Sequence, residues 1–130
     1  MIFMHQIIHE ILDSTRKRIP STINKRKIVS RDFKKYIDHR NQDNLIPVIA
    51  EVKPSSPSRF IRDVTPLEAA QIAQQMESAG AAAISVLTEP DFFKGSIKNL
   101  ESVRQKVKIP VLRKDFIIHK NHCLKVKKLQ

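Results

Sequence analysis

The chain reads Ile46-Pro47-Val48-Ile49-Ala50-Glu51-Val52 where its most regular part begins. This run is mostly apolar, has the length of a strand and is rich in branched side chains, which is typical of a buried parallel strand. Two later runs have the same character, residues 82–88 and residues 109–114. The three runs predict three strands of one sheet.

Helical patterns separate these strands. Thr65, Pro66 and Glu68 form a strong helix start, with threonine as the N-cap and glutamate closing a capping box. That helix is predicted to end at Gly80, and Ser96 is predicted to cap the next one. The order strand, helix, strand, helix, strand predicts an α/β fold with a parallel sheet and right-handed crossovers.

The pattern favours a (β/α)8 barrel over a doubly wound sheet. A doubly wound sheet usually carries glycines after its first strand, and the two glycines of this chain lie elsewhere. A complete barrel needs about 250 residues, whereas this chain has 130. We therefore expect a truncated barrel that has the first three strands, the two helices between them and the start of a third helix, and whose apolar sheet edges are unpaired.

Two segments are predicted. Residues 1–45 are expected to form an N-terminal helical extension, with an amphipathic helix over residues 2–19 and a short helix near residues 31–40. Residues 46–130 are expected to form the partial barrel. Residues 53–59 are interpreted as a polar loop, and the lysine-rich tail after residue 118 as helical.

Composition excludes several classes of protein. The net charge is +11, yet residues 45–118 carry ten basic against eight acidic side chains, so the excess lies on the flanks. Aromatic residues make up only 5%, which gives little support to nucleic-acid binding by stacking. No apolar run approaches the roughly 18 residues that span a bilayer. With one cysteine, Cys123, an internal disulfide is excluded, and we expect a cytoplasmic protein.

Charged side chains stand where the predicted strands end. Glu51 and Lys53 are two residues apart and point to the same side of the first strand, and Lys114 ends the third. The carboxyl ends of parallel strands share one edge, so these groups should converge there. Such a rim suits a small anionic substrate with an apolar ring. A plain ion pair at the strand end is the alternative, and the spacing leaves both open.

Metal binding has weak support. His5 and His9, like His119 and His122, have helical or near-helical spacing but no evident third ligand. We expect these histidines to lie on helix faces, and Cys123 to be an unreactive thiol. No metal is predicted.

Four stretches carry a further signal. They are Ile49-Ala50-Glu51-Val52-Lys53-Pro54-Ser55-Ser56-Pro57-Ser58, Ala79-Gly80-Ala81-Ala82-Ala83-Ile84-Ser85-Val86-Leu87-Thr88-Glu89, Phe92-Phe93-Lys94-Gly95-Ser96, and Pro110-Val111-Leu112-Arg113-Lys114-Asp115-Phe116-Ile117-Ile118. In order and spacing they closely resemble the indole-3-glycerol phosphate synthase family. The resemblance implies a (β/α)8 barrel and a carboxy-lyase of tryptophan biosynthesis. Enzymes of this family close the indole ring of carboxyphenylamino-deoxyribulose phosphate with loss of carbon dioxide and water, and the resemblance implies that no cofactor takes part.

The resemblance also implies roles for single residues. Lys114 is the expected general acid at the substrate's ketone, Lys53 pairs with the anionic substrate, and Glu51 orients the lysines. Substrate-binding residues are expected in two places. They are Ser56, in the phosphate region, with Pro57 next to it, and Phe93 and Phe116, beside the aromatic ring.

The resemblance fades after residue 118. The family's second catalytic carboxylate, a strand asparagine and most of its phosphate cradle belong to later strands, and residues 119–130 depart from the family's composition. An alternative therefore stays open, in which the chain is a catalytically incomplete half-barrel that only associates with another chain through its open sheet edges.

Overall fold

The computed structural model describes residues 2–20 and 31–123 of the chain. In chain order its elements are α1 (Ile2–Lys17), α2 (Phe33–Gln42), β1 (Ile49–Val52), β2 (Ser55–Ser56), β3 (Arg59–Phe60), α3 (Pro66–Ser78), β4 (Ala83–Leu87), α4 (Ile97–Lys106), β5 (Val111–Lys114) and α5 (Lys120–Cys123). Residues 124–130 of the predicted helical tail lie outside the described residues.

The strands β1, β4 and β5 form one parallel sheet in the order β1-β4-β5. This confirms the predicted α/β architecture. The strands of the larger sheet begin one to three residues later than predicted, and proline explains part of the delay, because Pro47 and Pro110 have no N–H to donate to a neighbouring strand. The first hydrogen bonds between the strands use carbonyl groups at or next to these prolines. Ala82 N donates to Val48 O, and Ile84 N donates to Pro110 O.

The polar loop predicted over residues 53–59 is wrong in part, because it contains a hairpin. Ser55 pairs with Phe60 and Ser56 with Arg59 in antiparallel register. Pro57 lies in the turn, where its fixed φ angle favours chain reversal. Strands of two residues are too short for an alternating pattern, so the sequence carried no periodic signal for them.

The helix α3 begins and ends as its capping residues predict. The Thr65 hydroxyl accepts a hydrogen bond from Glu68 N at 3.3 Å, and the Glu68 carboxylate accepts one from Thr65 N at 2.8 Å. Past the last turn, Gly80 has a φ angle of 96°, in the left-handed region that favours glycine.

The core lies between the sheet and the pair of helices α3 and α4. Val52, Ile84 and Val86 of the sheet pack against a layer of apolar helix residues. Those helix residues are Ala69, Ala73, Leu100 and Val103. On the opposite face of the sheet, Ile49 is 46% and Leu112 is 47% exposed. One face is therefore a packed core and the other is open at both outer strands.

The helix α1 ends two residues earlier than predicted and buries only part of its apolar side. Ile11 and Thr15 are buried, whereas Ile8 is exposed. Within the described residues, no helix is both long and apolar enough to cross a membrane.

We predict that Thr65→Ala lowers the free energy of unfolding by about 1 kcal/mol, because it removes the oxygen that accepts from Glu68 N and unbalances the capping box. Chemical denaturation measures the change. Gln74→Ala is the matched control, since Gln74 is exposed on the same helix. Equal losses in the two variants would contradict a specific capping contribution.

Candidate active site

The Glu51 carboxylate lies between two ammonium groups at the carboxyl edge of the sheet. Its Oε1 atom is 3.0 Å from Lys53 Nζ, and its Oε2 atom is 2.7 Å from Lys114 Nζ. Both lysines therefore share one carboxylate, although Glu51 and Lys114 are 63 positions apart in sequence. The structure brings together the three residues that the sequence singled out, and their chemical roles stay predictions.

The strand register explains this convergence. Glu51 of β1 is level with Ser85 of β4, and Leu87 of β4 is level with Lys114 of β5. The side chains of Glu51 and Lys114 therefore reach across the central strand at its carboxyl end. They remain open to solvent, since the Glu51 side chain is 24% and that of Lys114 is 54% exposed.

Two opposing effects act on the pKa of Glu51. Partial burial raises it, but the hydrogen bonds and positive charges of Lys114 and Lys53 outweigh burial and lower the pKa below the ordinary value of 4.5. The carboxylate is therefore charged at neutral pH. It can hold both ammonium groups in place while leaving protons on them available to a ligand.

An aromatic pair lies in the loops that follow β4 and β5. The rings of Phe93 and Phe116 have centroids 6.1 Å apart and are tilted by 42°. Both residues are partly buried. An offset or tilted pair at this distance is favourable and leaves ring faces that a second aromatic group can contact.

A buried glutamate organises the loop after β4. Glu89 is fully buried, and its carboxylate accepts hydrogen bonds from the backbone N–H groups of Asp91, Phe92 and Phe93 at 2.7–3.0 Å. Three such bonds tie the loop around one side chain. They place the backbone of Phe93, whose carbonyl accepts from Ser55 N in the β2–β3 hairpin.

Glycine is required where this loop returns to the sheet. A Cβ atom at Gly95 would lie 2.5 Å from the carbonyl carbon and oxygen of Leu87. The preceding residue, Lys94, adopts a φ angle of 52° in the left-handed region. The loop is therefore tightly folded against the end of β4.

A second buried carboxylate follows β5. Asp115 accepts from Arg113 Nη2 at 2.7 Å and from the Thr88 hydroxyl at 2.8 Å, and its other oxygen accepts from Phe116 N. Burial alone raises the pKa of Asp115, but the bonds from Arg113 and Thr88 outweigh it and lower the pKa. Asp115 thus fixes the start of the loop that carries Phe116.

The predicted phosphate-region residues lie in the hairpin. The Ser56 hydroxyl lies 3.3 Å from the Ser58 hydroxyl and donates to the carbonyl of Arg59 at 3.3 Å, so its contacts stay within the hairpin. Pro57 is exposed in the turn. Ser56 and Pro57 thus follow Lys53 of the ionic cluster closely in sequence, and they lie at the turn of the β2–β3 hairpin.

Sequence reasoning assigned no role to Glu89 and Asp115. A signal for both was present, because each acidic residue follows an apolar strand within two residues of its end.

Of the histidines, His5 and His9 are exposed on α1, whereas His122 is buried. Among residues 2–20 and 31–123, no group of three His, Cys, Asp or Glu is placed to hold a metal ion.

The comparison with protein families agrees with this geometry. The family model for indole-3-glycerol phosphate synthase matches residues 5–130. The chain belongs to the indole-3-glycerol phosphate synthase family. The parallel sheet described above is accordingly part of a (β/α)8 barrel.

Individual indole-3-glycerol phosphate synthases show the same similarity. The protein of Methanopyrus kandleri is 46% identical over 110 residues, which cover 84% of this chain and 43% of the relative. The protein of Haloarcula marismortui is 57% identical over 76 residues, covering 58% of this chain and 27% of the relative. The one from Aquifex aeolicus is 52% identical over 81 residues, 62% of this chain and 30% of the relative. The chain thus spans less than half the length of these relatives.

We predict that protonation of Glu51 in acid lowers the stability of the fold. The pKa of Glu51 is lower in the folded chain than in the unfolded chain, so the charged carboxylate stabilises the fold above pH 4.5. As the pH falls below 4.5, the unfolded chain binds more protons than the folded chain, and the stabilisation by Glu51 is progressively lost. Glu51→Gln should therefore destabilise the fold most at neutral pH and progressively less in acid. Denaturant titrations across this pH range measure the difference.

The control for this pH prediction is Glu10→Gln, which removes an exposed carboxylate of α1. If Glu10→Gln and Glu51→Gln change the pH profile equally, the ion cluster is not its source.

Proposed function

We propose that this chain carries part of the catalytic apparatus of indole-3-glycerol phosphate synthase, and that its substrate is the anionic, phosphorylated carboxyphenylamino-deoxyribulose. One observation supports this most strongly. The ammonium groups of Lys53 and Lys114 flank a single carboxylate at the mouth of a parallel sheet. Family membership and this arrangement point to the same reaction.

In the proposed mechanism, Lys114 is the general acid. The ring carbon that bears the substrate's carboxylate attacks the ketone carbon, and the ketone oxygen takes a proton from Lys114. Carbon dioxide then leaves and restores the aromatic ring. The new hydroxyl takes up a proton and leaves as water, while the neighbouring carbon, which is bonded to the nitrogen, loses a proton, so that the second ring double bond forms. Solvent returns the proton that Lys114 gave up in the first step. A fixed ammonium group is suited to the first step, because it stabilises negative charge as it develops on the oxygen.

Lys53 and Glu51 have supporting roles in this proposal. Lys53 pairs with the anionic substrate and assists proton transfer, and its side chain is 37% exposed, so a ligand can approach it. Glu51 orients both lysines. Without it, two like charges would face each other at the sheet edge and move apart.

The aromatic pair would hold the substrate's ring. Phe93 and Phe116 are partly buried, and their loops follow the two strands next to the ionic cluster. Ser56 and Pro57, in the hairpin after Lys53, would lie on the phosphate side. In this proposal an apolar subsite binds the aromatic ring and a separate subsite binds the phosphate anion. A substrate with an aromatic acid at one end and a phosphate at the other requires both.

We also propose the division of the chain into a helical extension, residues 1–45, and a partial barrel, residues 46–130. The cytoplasm is the proposed location, where a biosynthetic enzyme of this family meets its substrate.

A second candidate function is association with another chain. Ile49 and Leu112 are exposed on the open face of the sheet, and Ile46 and Val48 are exposed just before β1. Within residues 2–20 and 31–123 the outer edges of β1 and β5 are unpaired, and exposed apolar side chains beside such edges favour a partner that completes the sheet. In that case the chain has no turnover alone and acts as a half-barrel subunit.

We predict that Lys114→Met lowers kcat at least about a hundredfold in a chimera in which residues 46–118 replace the matching segment of the Methanopyrus kandleri relative. The chimera supplies a whole barrel, so it tests the residues of this chain without requiring activity of the chain alone. Formation of indole-3-glycerol phosphate is the measurement.

Lys98→Met is the matched control, because Lys98 is exposed on α4, on the helical side of the sheet. It should leave kcat unchanged. Near-normal turnover of the Lys114→Met chimera would remove Lys114 from the proposed role. Sedimentation of the unmodified chain, together with a turnover assay, tests the second candidate, which a monomer with activity would contradict.

A further inference from the structure

One arginine links the first helix to both loops of the aromatic pair. Arg18 directly follows α1, and its side chain is only 22% exposed. Its Nη2 atom is 3.0 Å from the Thr15 hydroxyl and 3.4 Å from Glu89 Oε1, and its Nη1 atom is 3.8 Å from Asp115 Oδ1. A single guanidinium therefore reaches the buried carboxylate of each loop.

Each of these carboxylates controls the backbone of its own loop. Glu89 accepts from Phe93 N and from the two preceding N–H groups, and Asp115 accepts from Phe116 N. The centroids of the Phe93 and Phe116 rings lie 6.1 Å apart. A displacement of either carboxylate consequently moves one ring relative to the other.

The two carboxylates do not depend on Arg18 equally. Asp115 has Arg113 as a close partner at 2.7 Å. Arg18 is the cation that lies within salt-bridge distance of Glu89 in the described part of the chain. A fully buried carboxylate with no nearby cation is costly, so the loop after β4 should respond most to the loss of Arg18.

The end of α1 is itself held in place. The Ser14 hydroxyl donates to the Asp91 carboxylate, and Thr15 is fully buried. Beyond the helix, the carbonyl of Pro20 accepts from Asn121 Nδ2 at 2.8 Å. Arg18 is therefore presented by a docked helix end, which lowers the conformational entropy lost when it makes its contacts.

We propose that Arg18 is a positioning residue that sets the spacing of Phe93 and Phe116, and that α1 thereby becomes part of the substrate-binding apparatus. That the rings bind an aromatic substrate rests on the proposed function. That Arg18 fixes their loops rests on geometry alone.

The first test is amide hydrogen exchange in the full chain. Arg18→Met removes the charge and keeps the length of the side chain. We expect the N–H groups of Phe92, Phe93 and Phe116 to exchange about tenfold faster or more, while those of β4 keep their protection, because local openings are distinct from global unfolding. Weaker cross-relaxation between the two rings should accompany this change.

Two further variants keep this test decisive. Arg18→Lys keeps the charge without the forked geometry and should give intermediate exchange, which also serves if Arg18→Met does not fold. Arg16→Met is the matched control, because the exposed Arg16 pairs with Asp13 of the same helix. Unchanged loop exchange in Arg18→Met, or equal acceleration of the loops and β4, would overturn the proposal.

A second test separates this inference from the proposed function. Titration with indole-3-glycerol phosphate, followed by NMR, should show binding that Arg18→Met weakens at least about threefold and that Arg16→Met leaves unchanged. Binding by the unmodified chain that Arg18→Met does not weaken would contradict a role in substrate binding. If the unmodified chain does not bind, the proposed function loses support, and the exchange test still decides the positioning role.

Discussion

The site depends on the parallel register of three short strands. Because β1 and β5 both pair with β4, Glu51 and Lys114 end at one edge and come within 2.7 Å. A slip of one residue in either pairing would turn these side chains to the opposite face, where apolar residues pack against the helices. The hydrophobic contacts of Val52, Ile84 and Val86 therefore also determine where the charges meet.

Polar groups at the carboxyl end of the sheet differ in exposure and in their partners. The ionic cluster of Glu51 with its two lysines is partly open to solvent. Glu89 and Asp115 are almost fully buried and accept hydrogen bonds and ionic contacts from backbone N–H groups, a hydroxyl and arginines. The exposed cluster can exchange partners with a ligand, whereas the two buried carboxylates shape the loops. Such support of reacting groups by buried hydrogen bonds is what precise positioning requires.

Local patterns in the sequence predicted most of the architecture. Thr65, Pro66 and Glu68 marked the start of α3 because capping is a short-range interaction, and branched apolar runs marked the three strands. The hairpin at Ser55 was missed, since strands of two residues have no period. Arg18 was missed for a different reason. Its carboxylate partners, Glu89 and Asp115, are more than 70 positions away, and only the folded chain shows which carboxylates a distant arginine meets.

The close approach of Gly95 to β4 limits how this loop can vary. Its α-carbon faces the main chain of Leu87 so closely that even a methyl group would collide with backbone atoms. Backbone atoms cannot rotate away as a side-chain tip can. Libraries that diversify the neighbouring surface positions for new ligands should therefore leave this codon constant, and natural drift among homologous genes should spare it while Lys98, on the exposed side of α4, changes freely.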